Sequence, residues 1–176
     1  FEILKIASCS FTDWPLLERV ALTSGPIVAS TAGAHLEDID KVVNFFLHRN
    51  RQLTLMHCVA EYPTPTDRLR LGQIDVFRKR YPDLQIGFST HESPGALEPV
   101  RVAVAKGATV FEKHVGVQTS EYDLNDYSAT PQEIGLWVKA AADSWKICGS
   151  SDQRDLGSAQ EVANLQGLSR GAYARE

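Results

Sequence analysis

The 176-residue sequence contains few cysteines, no long apolar run and no run of basic residues. Its three cysteines, Cys9, Cys58 and Cys148, are widely spaced, which excludes a disulfide framework or a zinc motif and suits a reducing cytoplasm. No segment approaches the ~18–20 apolar residues that a membrane span needs. The net charge of −4 is mild and argues against a nucleic-acid partner. These absences leave a cytoplasmic enzyme domain or binding domain.

Two phosphate-binding signatures are also missing. No GxGxxG follows the first strand-like segment, and the chain has no P-loop, so a nucleotide-binding fold loses its best support. The composition, 43% hydrophobic and 23% charged, is that of an ordinary globular protein and fits a single domain with a real core.

Short apolar runs alternate with helical patterns along the chain. We predict strands in the segments 1–8, 26–31, 53–59, 85–90 and 108–115, and helices in the segments 14–25, 36–50, 71–81, 95–106 and from 131 onwards. Thr130 to Glu133 form a capping box with proline at the first helical position, which marks the start of the last of these helices. The polar tail, residues 151–176, is typical of a linker.

Five strand–helix units in a row predict a parallel α/β sheet that is covered by helices. Two architectures fit this pattern: an open doubly wound sheet, or part of an eight-stranded (β/α) barrel. In both, ligands bind at the carboxyl ends of the strands, because the strand-to-helix loops open there.

Polar side chains gather at those carboxyl ends. Two histidines, His91 and His114, end neighbouring strands, so they could bind one divalent ion such as Mn²⁺, Fe²⁺ or Zn²⁺. The alternative is that each histidine caps its strand by hydrogen-bonding to the backbone. We expect His57 to be a buried hydrogen-bonding residue, and His35 and His48 to be solvated.

Three serines at strand ends, Ser8, Ser30 and Ser89, could bind phosphate or carboxylate oxygens with Lys5 supplying positive charge. The alternative is that serine is merely small enough for a turn.

Two carboxylates, Glu112 and Asp126, could serve as acid/base groups or hold sugar hydroxyls. Each could equally be a structural hydrogen-bonding residue.

Taken together, these segments resemble the sialic acid synthase (N-acetylneuraminate synthase) family over about residues 1–150. The resemblance rests on "KIAS", "GPIVASTAG", "LMHCVAEYPTP", "IGFSTHE", "GATVFEKHVG" and "LNDYSATPQE", which occur in the family's order and nearly its spacing. It implies a TIM barrel, (β/α)8, that condenses phosphoenolpyruvate with an N-acylated amino sugar such as N-acetylmannosamine. The products would be a nonulosonic acid and phosphate.

The resemblance also implies roles for single residues. His91 and His114 would bind a divalent metal, Mn²⁺ or Mg²⁺, and Tyr62 falls at the family's active-site tyrosine. Glu112 matches a carboxylate proposed to move protons, and Asp126 lies near a sugar-binding aspartate. The residues expected to hold the phosphate and carboxylate of phosphoenolpyruvate are Lys5, Ser8, Ser30 and Ser89.

The chain departs from the family pattern at four places. Thr90 stands where the family's Ser-Asp-His has aspartate, Ser10 where many members carry glutamate, and Ala60 where many carry asparagine. The usual Pro-Gly-Pro-Asp segment reads Asp123 to Asp126, so the match of Asp126 can slip by one residue. These changes bear on sugar specificity more than on the phosphoenolpyruvate site.

The five units resemble the fourth to the eighth of a barrel that needs eight. We therefore expect a partial barrel, with three strands preceding it and an antifreeze-like domain following it in a longer, homodimeric protein. The piece alone would lack full activity. Two alternatives remain open: another phosphoenolpyruvate-dependent synthase of a 2-keto sugar acid, and a non-catalytic barrel used for binding.

Overall fold

Five parallel strands and the helices between them make up the computed structural model, which describes residues 2–149, 157–168 and 171. The strands are β1 (Leu4–Ile6), β2 (Ile27–Ser30), β3 (Leu53–Cys58), β4 (Gln85–Thr90) and β5 (Val110–Lys113). The helices are α1 (Trp14–Ala21), α2 (Leu36–Leu47), α3 (Gly72–Arg80), α4 (Glu98–Ala105), α5 (Pro131–Cys148) and α6 (Ala159–Leu168). The prediction of five strand–helix units is confirmed.

The order of the strands decides between the two architectures. The sheet runs β1-β2-β3-β4-β5, so every strand pairs with the next one along the chain and all pairs are parallel. A doubly wound sheet reverses its strand order at a switch point, and this sheet has no reversal. The strands therefore form the wall of a half-barrel, consistent with a partial TIM barrel.

The helix-covered side of the sheet holds the main hydrophobic core. Leu55 and Phe88 point from central strands toward α2 and α3, where they join Phe46 and Ile74, and all four are fully buried. Burying one such side chain contributes about 1.5–3 kcal/mol. Because side chains alternate along a strand, the neighbouring positions face the concave side of the wall.

One glycine on the concave side is required by close packing. A Cβ at Gly87 would lie 2.2 Å from Met56 Sδ and 2.5 Å from the carbonyl oxygen of Val110. These contacts leave no room for a side chain at position 87 of β4. The space over the middle of the wall is therefore filled by Met56 and by the backbone of Val110.

Helix α5 begins where the sequence predicts. The Thr130 hydroxyl accepts a hydrogen bond from the Glu133 N–H, and the Glu133 carboxylate accepts one from the Thr130 N–H at 2.8 Å, which confirms the capping box. The helix then packs against α4 through a second cluster of Val100, Trp137 and Ala140. This packing covers the outside of the last strands, β4 and β5.

Several elements are up to three residues shorter at an end than predicted, and two differences are larger. Helix α1 ends at Ala21, four residues before the end of the predicted segment. In the polar tail, residues 159–168 form α6, since this stretch is rich in Ala, Gln, Glu and Leu, which favour helix even without burial. Within the predicted linker, residues 151–156, 169–170 and 172–176 lie outside the described residues. No helix of the described part is long and apolar enough to cross a membrane.

Candidate active site

An open cavity of about 510 Å³ lies at the carboxyl edge of the strands, on the concave side. It brings together eight of the residues that the sequence singles out: Lys5, Ser8, Ser30, Tyr62, Ser89, His91, Glu112 and His114. These residues come from all five strand ends, so the parallel sheet collects them at one place.

The two histidines lie side by side in this cavity. Strand β4 pairs Thr90 with Lys113 of β5, and the next residue along each chain segment is a histidine. The rings of His91 and His114 have centroids 5.1 Å apart. The strand register therefore sets the spacing of the two imidazoles.

A backbone hydrogen bond fixes the proton on His91. Its Nδ1 lies 3.0 Å from the carbonyl oxygen of Val59, which can only accept, so Nδ1 carries the hydrogen and Nε2 keeps a free lone pair. Burial holds the pKa of His91 below its ordinary value of 6.5; the Val59 bond opposes this shift, and the nearby His114 adds to it. His91 is thus a neutral nitrogen donor at neutral pH.

Two tyrosines surround the histidine pair. The Tyr62 ring lies 4.3 Å from that of His91, and the Tyr127 ring lies 5.9 Å from His91 and 5.1 Å from His114, centroid to centroid. The two phenol rings also meet each other, 5.3 Å apart. Burial raises the pKa of Tyr62, so its phenol stays protonated at neutral pH. The sequence interpretation missed Tyr127; its position next to Asp126, in the segment between β5 and α5, was the available signal.

A lysine and a glutamate pair across the mouth of the half-barrel. Lys5 Nζ lies 3.2 Å from Glu112 Oε2, which joins the two edge strands β1 and β5 through side chains. Both side chains remain partly exposed, so the pair adds at most about 1 kcal/mol to stability. Both groups stay accessible to a ligand in the cavity.

Ser8 and Ser30 differ in whether their hydroxyl groups have a hydrogen-bond partner within the protein. Ser8 Oγ accepts a hydrogen bond from the Ala32 N–H at 3.1 Å, which holds the two loops together. Ser30 Oγ is buried and finds no hydrogen-bond partner among the described residues. An unpaired buried hydroxyl is costly, so its presence at a cavity wall is typical of a group that meets a ligand.

The buried thiol between these serines is not a nucleophile. Burial raises the pKa of Cys58, and hydrogen bonds with Ser89 and Ser8 only partly oppose that rise. The thiol therefore stays protonated at neutral pH, whereas a nucleophilic cysteine needs its thiolate form.

Several predicted residues lie away from the cavity. Asp126 is exposed in the loop before α5 and is not among the residues that line the cavity. His57 is buried, and its Nε2 lies 2.7 Å from the Leu69 carbonyl oxygen, which confirms its reading as a hydrogen-bonding core residue. His35 and His48 are exposed, as expected.

The histidine pair fits a metal that shares its coordination with water or substrate. Imidazole nitrogens suit Mn²⁺ and other divalent ions, and His91 presents an oriented Nε2. The described residues contain no group of three or more His, Cys, Asp or Glu placed to hold an ion. An ion at His91 and His114 would therefore keep open positions, as catalytic metal sites do.

Known proteins resemble this chain in both sequence and fold. The NeuB family model matches residues 1–153. The crystal structure of a candidate spore coat polysaccharide biosynthesis protein E from Chromobacterium violaceum has a TM-score of 0.91 and 57% identity, covering 97% of this chain and 51% of that chain. The crystal structure of N-acetylneuraminic acid (sialic acid) synthetase from Leptospira borgpetersenii, in complex with citrate, has a TM-score of 0.84 and 31% identity. The match covers 94% of this chain and 57% of that chain.

Sequence comparison gives a similar extent. A pseudaminic acid synthase from Campylobacter jejuni is 34% identical over 172 residues, which cover 97% of this chain and 48% of that protein. The chain thus spans about half the length of these proteins.

Proposed function

We propose that this chain, which belongs to the NeuB family, is part of a synthase that condenses phosphoenolpyruvate with an N-acylated amino sugar. The products would be a sialic acid or a related nonulosonic acid, and phosphate. The observation that carries the proposal is one cavity that holds the adjacent rings of His91 and His114, the Lys5 ammonium group and the Ser30 hydroxyl, which has no hydrogen-bond partner among the described residues.

Carbon–carbon bond formation needs an activated aldehyde. Carbon 3 of the enol attacks the aldehyde carbon of the open-chain sugar, and the aldehyde oxygen gains a proton. A divalent ion, Mn²⁺ or Mg²⁺, held by His91 and His114 would supply Lewis-acid polarisation of that oxygen. Tyr62, in contact with His91, and Glu112, in the same cavity, would move the proton.

The second half of the reaction creates and releases an anion. Water adds at carbon 2, and the tetrahedral intermediate then loses phosphate to give the 2-keto acid. Lys5 would bind the phosphate or carboxylate through its ammonium group, and Ser8, Ser30 and Ser89 would donate hydrogen bonds. The buried Ser30 hydroxyl, unpaired among the described residues, supports this assignment because a ligand oxygen would satisfy it.

The direct test is phosphate release by the complete protein. With Mn²⁺ and phosphoenolpyruvate, N-acetylmannosamine or another acylamino sugar should trigger release, and arabinose 5-phosphate should not. Release with arabinose 5-phosphate alone would favour a different 2-keto sugar acid synthase. If no sugar triggers release and no Mn²⁺ binds, the chain is a non-catalytic barrel and the proposal is wrong.

A further inference from the structure

A fully buried ion pair lies on the helix-covered side of the sheet, behind the two histidines. Lys113 Nζ is 3.1 Å from Glu92 Oε1 and 3.0 Å from the Glu92 backbone carbonyl oxygen, and both side chains are completely inaccessible. The Thr90 hydroxyl donates a hydrogen bond to the other carboxylate oxygen, Oε2. Each oxygen of the Glu92 carboxylate therefore has a partner.

A buried ion pair of this kind is a poor device for stability alone. Removing two charges from water costs free energy that their attraction only partly returns, and an apolar pair of similar volume often serves a core as well. One use for which buried charges are known is to specify geometry. The position of this pair suggests which geometry it specifies.

The pair connects the two segments that carry the histidines. Glu92 directly follows His91, and Lys113 directly precedes His114. Because side chains alternate along β5, Lys113 points away from the cavity that Glu112 lines. The bond from Lys113 to the Glu92 carbonyl oxygen ties the end of β4 to β5 at the residue next to His91. A shift of one strand end against the other would break it.

Thr90 shows how the carboxylate reaches this place. Its side chain points to the Glu92 carboxylate, so an acidic residue at position 90 would put its own carboxylate near the same point. In this chain the carboxylate at that point belongs to Glu92, two residues further along the chain.

We propose that Glu92 and Lys113 are positioning residues that set the spacing and orientation of His91 and His114, and thereby the affinity of the pair for a divalent metal. This inference rests on the metal site of the proposed function. Thr90 takes part by orienting the Glu92 carboxylate.

The test is the Mn²⁺ dissociation constant of the complete protein, measured by electron paramagnetic resonance at a temperature well below the melting temperature. Glu92→Gln should weaken Mn²⁺ binding about 10- to 100-fold, the usual effect of losing a group that orients a metal ligand. Moving the carboxylate, in the double variant Thr90→Asp with Glu92→Thr, should restore much of the affinity.

The matched control is Asp40→Asn, which breaks the ion pair between Asp40 and Arg80 on α2 and α3. It should lower the melting temperature and leave Mn²⁺ affinity unchanged. If Glu92→Gln does not fold, the variant Glu92→Gln with Lys113→Met removes the uncompensated charge and should show the same weakened binding.

Two outcomes overturn the inference, and they can be told apart. Wild-type protein that binds Mn²⁺ while Glu92→Gln, or the double variant with Lys113→Met, keeps that affinity would show that the ion pair is only structural. Wild-type protein that binds no Mn²⁺ would overturn the metal site and, with it, the positioning role.

Discussion

The imidazoles of His91 and His114 stand 5.1 Å apart because the parallel register of β4 and β5 brings the two strand ends level. The register pairs Thr90 with Lys113, and each histidine follows directly. A pair of adjacent imidazoles thus results from ordinary sheet geometry, with the Val59 carbonyl selecting the Nδ1–H form of His91.

The first prediction concerns this pair. His114→Ala in the complete protein should weaken Mn²⁺ binding by more than about 100-fold, since changes to residues that merely orient a ligand already cost about 10- to 100-fold. Isothermal titration with Mn²⁺ measures the change. His48→Ala, at the exposed end of α2, is the matched control and should bind like wild type. Equal affinity in all three proteins would exclude the pair as the metal site.

The second prediction concerns the unpaired hydroxyl of Ser30. Ser30→Ala should raise the KM for phosphoenolpyruvate about 10- to 100-fold, because a hydrogen bond to a charged group contributes about 1.5–3 kcal/mol. The free energy of unfolding should not fall, since the lost hydroxyl has no hydrogen-bond partner within the described part of the chain. Steady-state kinetics and urea denaturation check the two statements.

A buried serine elsewhere provides the control for Ser30. The Ser144 hydroxyl donates to the Ala140 carbonyl at 2.8 Å inside α5. Ser144→Ala should leave KM unchanged. A KM that stays the same in Ser30→Ala as well would remove Ser30 from the substrate site.

The third prediction concerns Tyr127, whose ring packs edge-on against both imidazoles. Such ring pairs contribute about 0.5–1.5 kcal/mol each. Tyr127→Ala should therefore lower the free energy of unfolding by about 1 kcal/mol and weaken Mn²⁺ binding, whereas Tyr127→Phe keeps the ring and should keep both. Urea denaturation and Mn²⁺ titration provide the readouts. If Tyr127→Phe loses as much stability and Mn²⁺ affinity as Tyr127→Ala, the phenol hydroxyl is responsible and the explanation by ring packing is wrong.

The fourth prediction is a pH dependence of stability that arises from His57. Burial holds the pKa of His57 below its ordinary value of 6.5, the bond to Leu69 opposes this, and Arg70 adds to it. As the pH falls below about 6.5, His57 therefore becomes protonated in the unfolded chain but stays neutral in the folded chain. The free energy of unfolding therefore decreases as the pH is lowered from about 6.5 to the pKa of folded His57. The slope cannot exceed about 1.4 kcal/mol per pH unit for one group.

The variant His57→Gln tests this account of pH dependence. The amide can still donate to the Leu69 carbonyl but does not titrate, so unfolding measured by urea between pH 7 and 5 should depend less on pH than in wild type. Ser144→Ala, which changes no titratable group, should keep the wild-type slope. An unchanged slope in His57→Gln would assign the dependence to other groups.

Much of the site could be predicted because it follows from strand ends. Lys5, Ser30, Ser89, Glu112 and His114 each close or follow an apolar run, and parallel strands bring such positions to one edge. The choice between a barrel wall and an open sheet could not be made from periodicity, since both use the same units. It needed the strand order.

The parts that escaped prediction depend on loops and on long-range contacts. Tyr127 reaches the histidines through the irregular segment before α5, whose path no periodic pattern describes. The ion pair of Glu92 and Lys113 joins residues 21 positions apart, and neither side chain differs in sequence from an ordinary surface charge. The tail helix α6 escaped because its exposed sequence lacks an apolar stripe.

The most direct test of the central claim is the fate of water oxygen in the reaction. The complete protein would be incubated with phosphoenolpyruvate, Mn²⁺ and the active acylamino sugar in ¹⁸O-labelled water, and the phosphate analysed by mass spectrometry. Because water adds at carbon 2 before phosphate leaves, we predict phosphate without label, formed together with a new sugar acid. Labelled phosphate without a condensation product would show hydrolysis at phosphorus and would contradict the synthase account.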